Sequence, residues 1–464
     1  MKPDDDKLED FQIAPHVRGR SHTRGRGGLV AALQEGVTRP VSTSSSDLRE
    51  YATNASGLVR KVPSLVVTVT SAREISHVLR VTRDARVPVN IRGTGLSFGD
   101  QGLSDGGVLI VNDMGPPDVR LNSDGSVEAT TRTTWRSLEC ELKKRGRAIP
   151  VLTNYLDTSV GGTLSAGGYG ARSIRYGGQV DLVRRLRLIL PDGNAVWCSR
   201  EANRDLFRYG LASIGRVGVL DRVVLETAPH NAETSLTVRV VPTLERLVEN
   251  VDWLADSRAE GLDIFSGQHT REGVLATFGV RGDHAVPVPL RGSGAWRNEY
   301  DWPHSLLREQ PRTFLHPSCH FVWADYCVDG ANAGRFARFV DREVVSSPAY
   351  RAHGGRILVL AVSRPERRTA IPFAPTGYFS GAVFGFGLYF VVRRGDQAGL
   401  AEVQALHARA LHTCLSCGGR PYLAGWLTMS ERDKRSVYGR DHVAMRQLLE
   451  VLDPSGLFNR GLLS

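Results

Sequence analysis

The sequence has no apolar run long enough to cross a bilayer, which excludes a helical membrane span. Its first residues, MKPDDDKLED, are acidic and lack the apolar stretch of a secretory signal, so a cytoplasmic protein is the default expectation. Cysteine is scarce. Cys140, Cys198, Cys319, Cys327, Cys414 and Cys417 are six in 464 residues, too few for a disulfide framework. Cys414 and Cys417 form a lone CxxC without a second pair or thioredoxin-like surroundings, which reads as structural. No HExxH occurs, and the His and Cys spacings do not suit zinc, so no metal is expected. There are no internal repeats. Lysine is rare as well, six among 59 Lys and Arg residues. The arginines are scattered, without the basic block or aromatic-interleaved stripe of a nucleic-acid groove.

What is present suits a large globular chain of two or three domains, with 41% apolar residues. The net charge of +10 favours anionic small molecules. Residues 1–27 read as a flexible tail, acidic and then rich in Arg, Gly, Ser and His. Leu65 to Val69 reads as a strand, Ser71 as a helix N-cap, and Ile75, Val78, Leu79 and Thr82 as one helical face. Strands follow at 87–91, 108–111, 185–190, 195–198 and 217–226, with a helix marked by Trp135, Leu138 and Leu142. Residues 229–415 give helical periodicity at 243–256 and 332–345 and strands at 320–328 and 383–392. A short helix near 442–452 is stopped by Asp453-Pro454-Ser455-Gly456.

Two glycine-rich segments stand out. One is Arg92-Gly93-Thr94-Gly95-Leu96-Ser97, after a strand-like run. The other runs from Thr153-Asn154-Tyr155 through Gly161-Gly162-Thr163-Leu164-Ser165 to Gly168. Glycine lets a backbone turn through positive φ and approach a ligand closely, so that N–H groups converge on an anion such as a pyrophosphate. Two such loops about sixty residues apart are more specific than either alone.

These segments resemble the FAD-dependent oxidoreductases of the vanillyl-alcohol oxidase and p-cresol methylhydroxylase type. RGTGLSFGDQG and the GGVLIVNDM that follows are similar to decaprenylphosphoryl-ribose oxidase. LTNYLDTSVGGTLSAGGYG, with IRYGGQVDLVRRLRLILPDG and DLFRYGLASIGRVGVLDRVVLETAP, is similar to cytokinin dehydrogenases. VYGRDHVAMRQLLEVLDPSGLFN is similar to the C-terminal signature of sugar and alditol oxidases. The resemblance implies an α+β fold: a two-subdomain FAD-binding domain of the p-cresol methylhydroxylase type at 28–228, and an α+β substrate domain with an antiparallel sheet at 229–415. A segment at 416–464 returns to the FAD domain. It implies that Arg92, Gly93, Thr94, Gly95, Leu96 and Ser97, with Gly161, Gly162, Thr163 and Ser165, wrap the pyrophosphate. Asn154, Tyr155 and Gly168 belong to the same cradle. Gly215, Gly218 and Val219 would line the adenine and ribose side, and Asn459 would approach the flavin ring.

The sequence also departs from its relatives. Where many carry a flavin-tethering histidine, Leu96 stands here; where some add a cysteine, Tyr155 stands here. The expectation is therefore non-covalent FAD. The aspartate base of cytokinin dehydrogenases corresponds to Asn154, which can orient a substrate but cannot take its proton. The lysine of decaprenylphosphoryl-ribose oxidase corresponds to Gly425, after Tyr422-Leu423-Ala424. The remaining base candidate is Asp325, in a strand whose alternation sets Trp323, Asp325 and Cys327 on one face; alditol oxidases have an acid at the matching place. Burial beside Trp323 would raise its pKa toward neutrality. His316 and His320 are alternative bases, and Tyr389 and Tyr378 candidate pocket residues. The expected activity is oxidation of a C–OH or C–NH carbon of a small molecule by hydride transfer to flavin N5, in natural product biosynthesis. Molecular oxygen or another electron acceptor would complete the cycle. The alternative is a flavoprotein catalysing a non-oxidative cyclisation or dehydration.

Overall fold

The computed structural model describes residues 25–230, 234–251, 262–280, 293–296, 316–363, 370–377, 379 and 381–463. Three parallel strands, β1 (Leu65–Val69), β2 (Val89–Arg92) and β3 (Val108–Asn112), lie in the order β1-β3-β2. The helix Ala72–Asp84 makes the crossover and buries Ile75, Val78, Leu79 and Thr82. Ser71 caps it by accepting from the Glu74 N–H at 3.3 Å. The helix Arg26–Gln34 packs Leu29 and Leu33 into the same core, so Arg26 and Gly27 belong to the fold and not to a tail. The rest of the expected tail, residues 1–24, lies outside the described residues.

A second sheet is antiparallel, in the order β4-β5-β9-β7-β8. Its strands are β4 (Val119–Leu121), β5 (Val127–Thr130), β7 (Val183–Ile189), β8 (Ala195–Ser199) and β9 (Val219–Leu225). Between them in sequence, β6 (Arg147–Ala148) pairs with β10 (Ala228–Pro229).

The third sheet has eight strands: β11 (Thr234–Val241), β12 (Leu262–Thr270), β13 (Gly273–Val280), β14 (Ser293–Trp296), β15 (Cys319–Asp329), β16 (Arg356–Val362), β17 (Val383–Arg393) and β18 (Arg420–Pro421). Their order is β14-β11-β13-β12-β16-β17-β15-β18, and every pairing is antiparallel. One face is apolar. Val322, Ala324, Tyr326 and Val328 of β15 join Phe384, Phe386, Leu388 and Phe390 of β17 in a core closed by the helices Gly330–Phe339 and Gln397–Ser416. Cys414 and Cys417 are free thiols in that core. The alternate residues of these strands face the cavity described below.

The C-terminal helix is longer than its periodicity suggested. It runs from Glu431 to Leu452, with non-helical backbone at Gly439 (φ 48°). A reciprocal cap between Ser430 and Asp433 starts it two turns before the break. Of the helix expected at 243–256, Leu244–Val251 is observed and the remainder lies outside the described residues.

Candidate active site

A cavity of about 370 Å³ is lined by the first glycine-rich loop, the second, the 214–220 turn and the open face of the eight-stranded sheet. The two loops touch. A Cβ on Gly93 would collide with the Ser159 hydroxyl, so only glycine allows this approach. Gly95 has φ +74°, and a side chain there would strike the Arg92 guanidinium.

The two loops differ in what they offer. Among the described residues, the N–H groups of Thr94, Gly95, Leu96 and Ser97 have no protein acceptor, and all four residues line the cavity. In the second loop the amides from Val160 to Thr163 are already used. Val160 donates to Thr133 O (2.9 Å), Gly161 to Thr131 O (3.1 Å), Gly162 to Ser159 Oγ (3.2 Å) and Thr163 to Ser159 O (3.1 Å). The amides of Val160 to Thr163 are thus satisfied within the protein, while those of Thr94 to Ser97 are not. Gly161 and Gly162 line the cavity, and a Cβ on them would crowd Thr131 at 3.2 Å and Ser159 Oγ at 2.8 Å. Thr163 and Ser165 line it too, the former accepting from Trp135 Nε1 at 2.5 Å.

Arg92 is at the cavity wall, but its guanidinium donates to Thr53 O at 2.9 Å and lies over the Tyr51 ring, and burial pushes its pKa down. Gly168, expected in the cradle, does not line the cavity. It is buried, and its N–H donates to the Tyr422 hydroxyl at 3.2 Å, so its place is to position Tyr422. Gly215 (φ +68°), Gly218 and Val219 line the cavity beside Asn459. Asn459 donates through Nδ2 to Ile214 O (2.8 Å) and Gly215 O (3.0 Å), and its own N–H donates to Val89 O (2.7 Å). Asn459 thus clamps this turn to β2 while lining the cavity.

At the sheet, cross-strand rows set out the other wall. Gln268, Leu358, Gly387 and Asp325 stand in one row; Arg356, Tyr389 and Trp323 in the next. Trp323 Nε1 donates to Asp325 Oδ1 at 2.6 Å. Tyr389 stacks on Trp323 with centroids 5.9 Å apart, and Phe98 meets the indole edge-on at 5.0 Å. Gly387 makes room for the acid: a Cβ there would lie 2.6 Å from Asp325 Oδ1. Asp325 is deep in the protein and half-exposed only toward the cavity. Desolvation raises its pKa to about 7, against the lowering effect of the Trp323 hydrogen bond. Burial likewise holds the Tyr389 and Tyr422 phenols and the Cys327 thiol well up, in their neutral forms.

Asn154, Tyr155 and Leu96 all line the cavity. His316, ahead of β15, is exposed and pairs with Ser318, and His320 sits beside Ser56 and Gly57; neither lines the cavity, His320 because the pleat turns even-numbered residues of β15 away. Tyr378 lies outside the described residues. Sequence reasoning missed Tyr169, Tyr422 and Arg356 as wall residues. Tyr422 had a signal in the Tyr-Leu-Ala stretch. Gly425 cannot carry a side chain, since its Cβ would lie 2.8 Å from Ala324 Cα. Among the described residues no cluster of His, Cys, Asp and Glu is arranged to hold a metal, and no helix is long and apolar enough to cross a membrane.

Residues 63–199 match the FAD binding domain family. Cytokinin dehydrogenase 2 of Arabidopsis thaliana is 29% identical over 216 residues, 46% of this chain and 43% of that protein. An uncharacterised oxidoreductase from the fasciation locus of Rhodococcoides fascians is 33% identical over 175 residues, 37% of this chain and 39% of that one. Cytokinin dehydrogenase 1 of Oryza sativa subsp. japonica is 33% identical over 181 residues, 37% and 34%. The matches span less than half the length of these relatives. In structure, chitooligosaccharide oxidase superposes with a TM-score of 0.74 at 17% identity, covering 92% of this chain and 97% of that one, which shows a shared fold. The chain thus carries an FAD binding domain at residues 63–199, where it is similar to FAD flavoproteins of the vanillyl-alcohol oxidase and p-cresol methylhydroxylase type, and it shares its overall fold with chitooligosaccharide oxidase.

Proposed function

We propose that the protein is an FAD-dependent oxidase or dehydrogenase acting on a C–OH or C–NH carbon of a small molecule. The observation that carries this reading is Asp325: one carboxyl, in an aromatic wall facing the FAD-side loops, with its pKa raised to about 7. Residues 28–228 form the two-subdomain FAD-binding part, 229–415 the substrate part, and 416–464 the return to the FAD side.

The cradle suits a flavin dinucleotide. The unspent amides of Thr94 to Ser97 would hold the pyrophosphate, and Gly161, Gly162 and Ser165 would allow its close approach. Gly215, Gly218 and Val219 would border the nucleotide end. Bound FAD would supply the acceptor for a hydride, which carries both electrons of the oxidation. The chain's own part is proton handling and orientation. Asp325 takes the proton from the substrate heteroatom. Trp323 fixes the carboxylate through its 2.6 Å hydrogen bond. Tyr389, stacked on Trp323, and the side-chain amide of Asn154 orient the substrate from two sides. Leu96 has no nucleophile and the Tyr155 phenol is held neutral by burial, so the flavin is held without a covalent bond. Molecular oxygen or another acceptor then takes the electrons.

The test is a substrate screen without oxygen, followed by loss of the oxidised-flavin absorbance. Bleaching by an alcohol or amine is the expected result. Turnover with no bleaching at all would replace this reading with a non-oxidative one, such as cyclisation or dehydration.

A further inference from the structure

The cavity opens at its sheet end into a second recess, and the two share Phe321, Arg356 and Tyr389. The recess carries three guanidinium groups, on Arg271, Arg356 and Arg393. Among the described residues none of the three has a carboxylate partner or a side-chain hydrogen bond. The acid on this rim, Asp396, accepts from the Gly399 N–H at 2.9 Å as a helix cap. Arg356 is exposed and stands directly across from Tyr389 in the sheet, one row from Asp325. Two strand spacings of about 4.8 Å and a two-residue step of about 6.8 Å put its Cα roughly 12 Å from that of Asp325. An extended arginine side chain covers about half of that.

From this arrangement we propose that the substrate is an anion. Its carboxylate, or another planar oxyanion, sits on Arg356 at the mouth, while the carbon to be oxidised lies against Asp325 and Tyr389. The proposal rests on the oxidoreductase reading above and adds the charge class of the substrate. Three unpaired cations converging on the mouth raise the local concentration of anions and guide them inward. A guanidinium fork also binds a carboxylate in a fixed orientation, which a neutral substrate cannot match. The distance limits the substrate to a molecule with several bonds between its charged group and its reacting carbon. The same cations disfavour a protonated amine as substrate.

The experiment uses the FAD-loaded protein and a panel of hydroxy-carboxylates, from 2-hydroxypropanoate to 6-hydroxyhexanoate and 4-(hydroxymethyl)benzoate, each paired with its primary amide. Binding is read from perturbation of the flavin spectrum without oxygen. At least one carboxylate should bind tenfold or more tightly than its amide, and added salt should narrow the gap. Arg356→Gln should abolish the preference, weakening carboxylate binding tenfold or more and amide binding far less, with the melting temperature as it was. Equal binding of every pair, or no response from any carboxylate, would overturn the proposal. A strong carboxylate preference with no flavin reduction by any member would leave the anion site standing and bring down the hydride-removal reading. Reduction by amides and carboxylates alike would do the reverse.

Discussion

Asp325 titrates about pH 7 in the folded protein, so the form able to accept a proton prevails above that value. Flavin reduction by substrate should accordingly slow as the pH falls below about 7 and level off above it. Trp323→Phe removes the interaction that lowers this pKa and leaves burial unopposed. The acidic limb of the rate profile should then move up by about one unit or more, since a hydrogen bond to a charged group is worth roughly 1.5–3 kcal/mol. Asp325→Asn should cut the rate of flavin reduction by about 10²–10⁴ with FAD content unchanged. The same residue bears on stability. Its folded pKa lies above the unfolded one, so ionisation costs stability that is lost progressively as the pH rises from the unfolded value through about 7. Asp325→Asn should raise the melting temperature at pH 8 and leave it nearly unchanged at pH 4; the reverse pattern would show the carboxylate to be stabilised by a partner.

Alternation along β15 let the sequence reveal Asp325, because a pleated strand with one buried face writes its two faces into odd and even positions. The neighbours that give it meaning were not legible. That Gly387 and not a larger residue lies opposite, and that Arg356 lies one row away, depends on the register of strands more than thirty residues apart. The glycine loops were legible as glycine, but the spending of their amides was not. Only the structure reveals that the amides of Gly161 and Gly162 are spent within the protein while the first loop keeps its donors. Two substitutions test these elements. Gly387→Ala sets a methyl group against the Asp325 carboxylate and the Tyr389 ring. It should depress flavin reduction at least as strongly as Trp323→Phe, with FAD still bound. Gly93→Ala forces the first loop away from Ser159 and should weaken FAD affinity by about tenfold or more, roughly 1.4 kcal/mol, measured by titrating flavin fluorescence into apoprotein.

For the molecule as a whole, acid precipitation of the yellow protein should leave FAD in the supernatant. Flavin retained by the pellet would refute the non-covalent assignment at Leu96 and Tyr155. The cofactor should also raise the melting temperature, because the cavity that would hold it draws on β2, the helix Val160–Ala166, the 214–220 turn and Asn459 at once, and only the folded chain assembles them. The last of these carries a temporal consequence. Phe458 bridges to Val89, and Asn459 fastens β2 to the Ile214–Gly215 turn, although hundreds of residues separate them along the chain. A nascent chain emerging from the ribosome has its glycine loops long before it has the piece that ties them together. Tight capture of the dinucleotide would therefore wait for translation of that distal tie, so a chain cut short before Phe458 should bind FAD more weakly than the full chain.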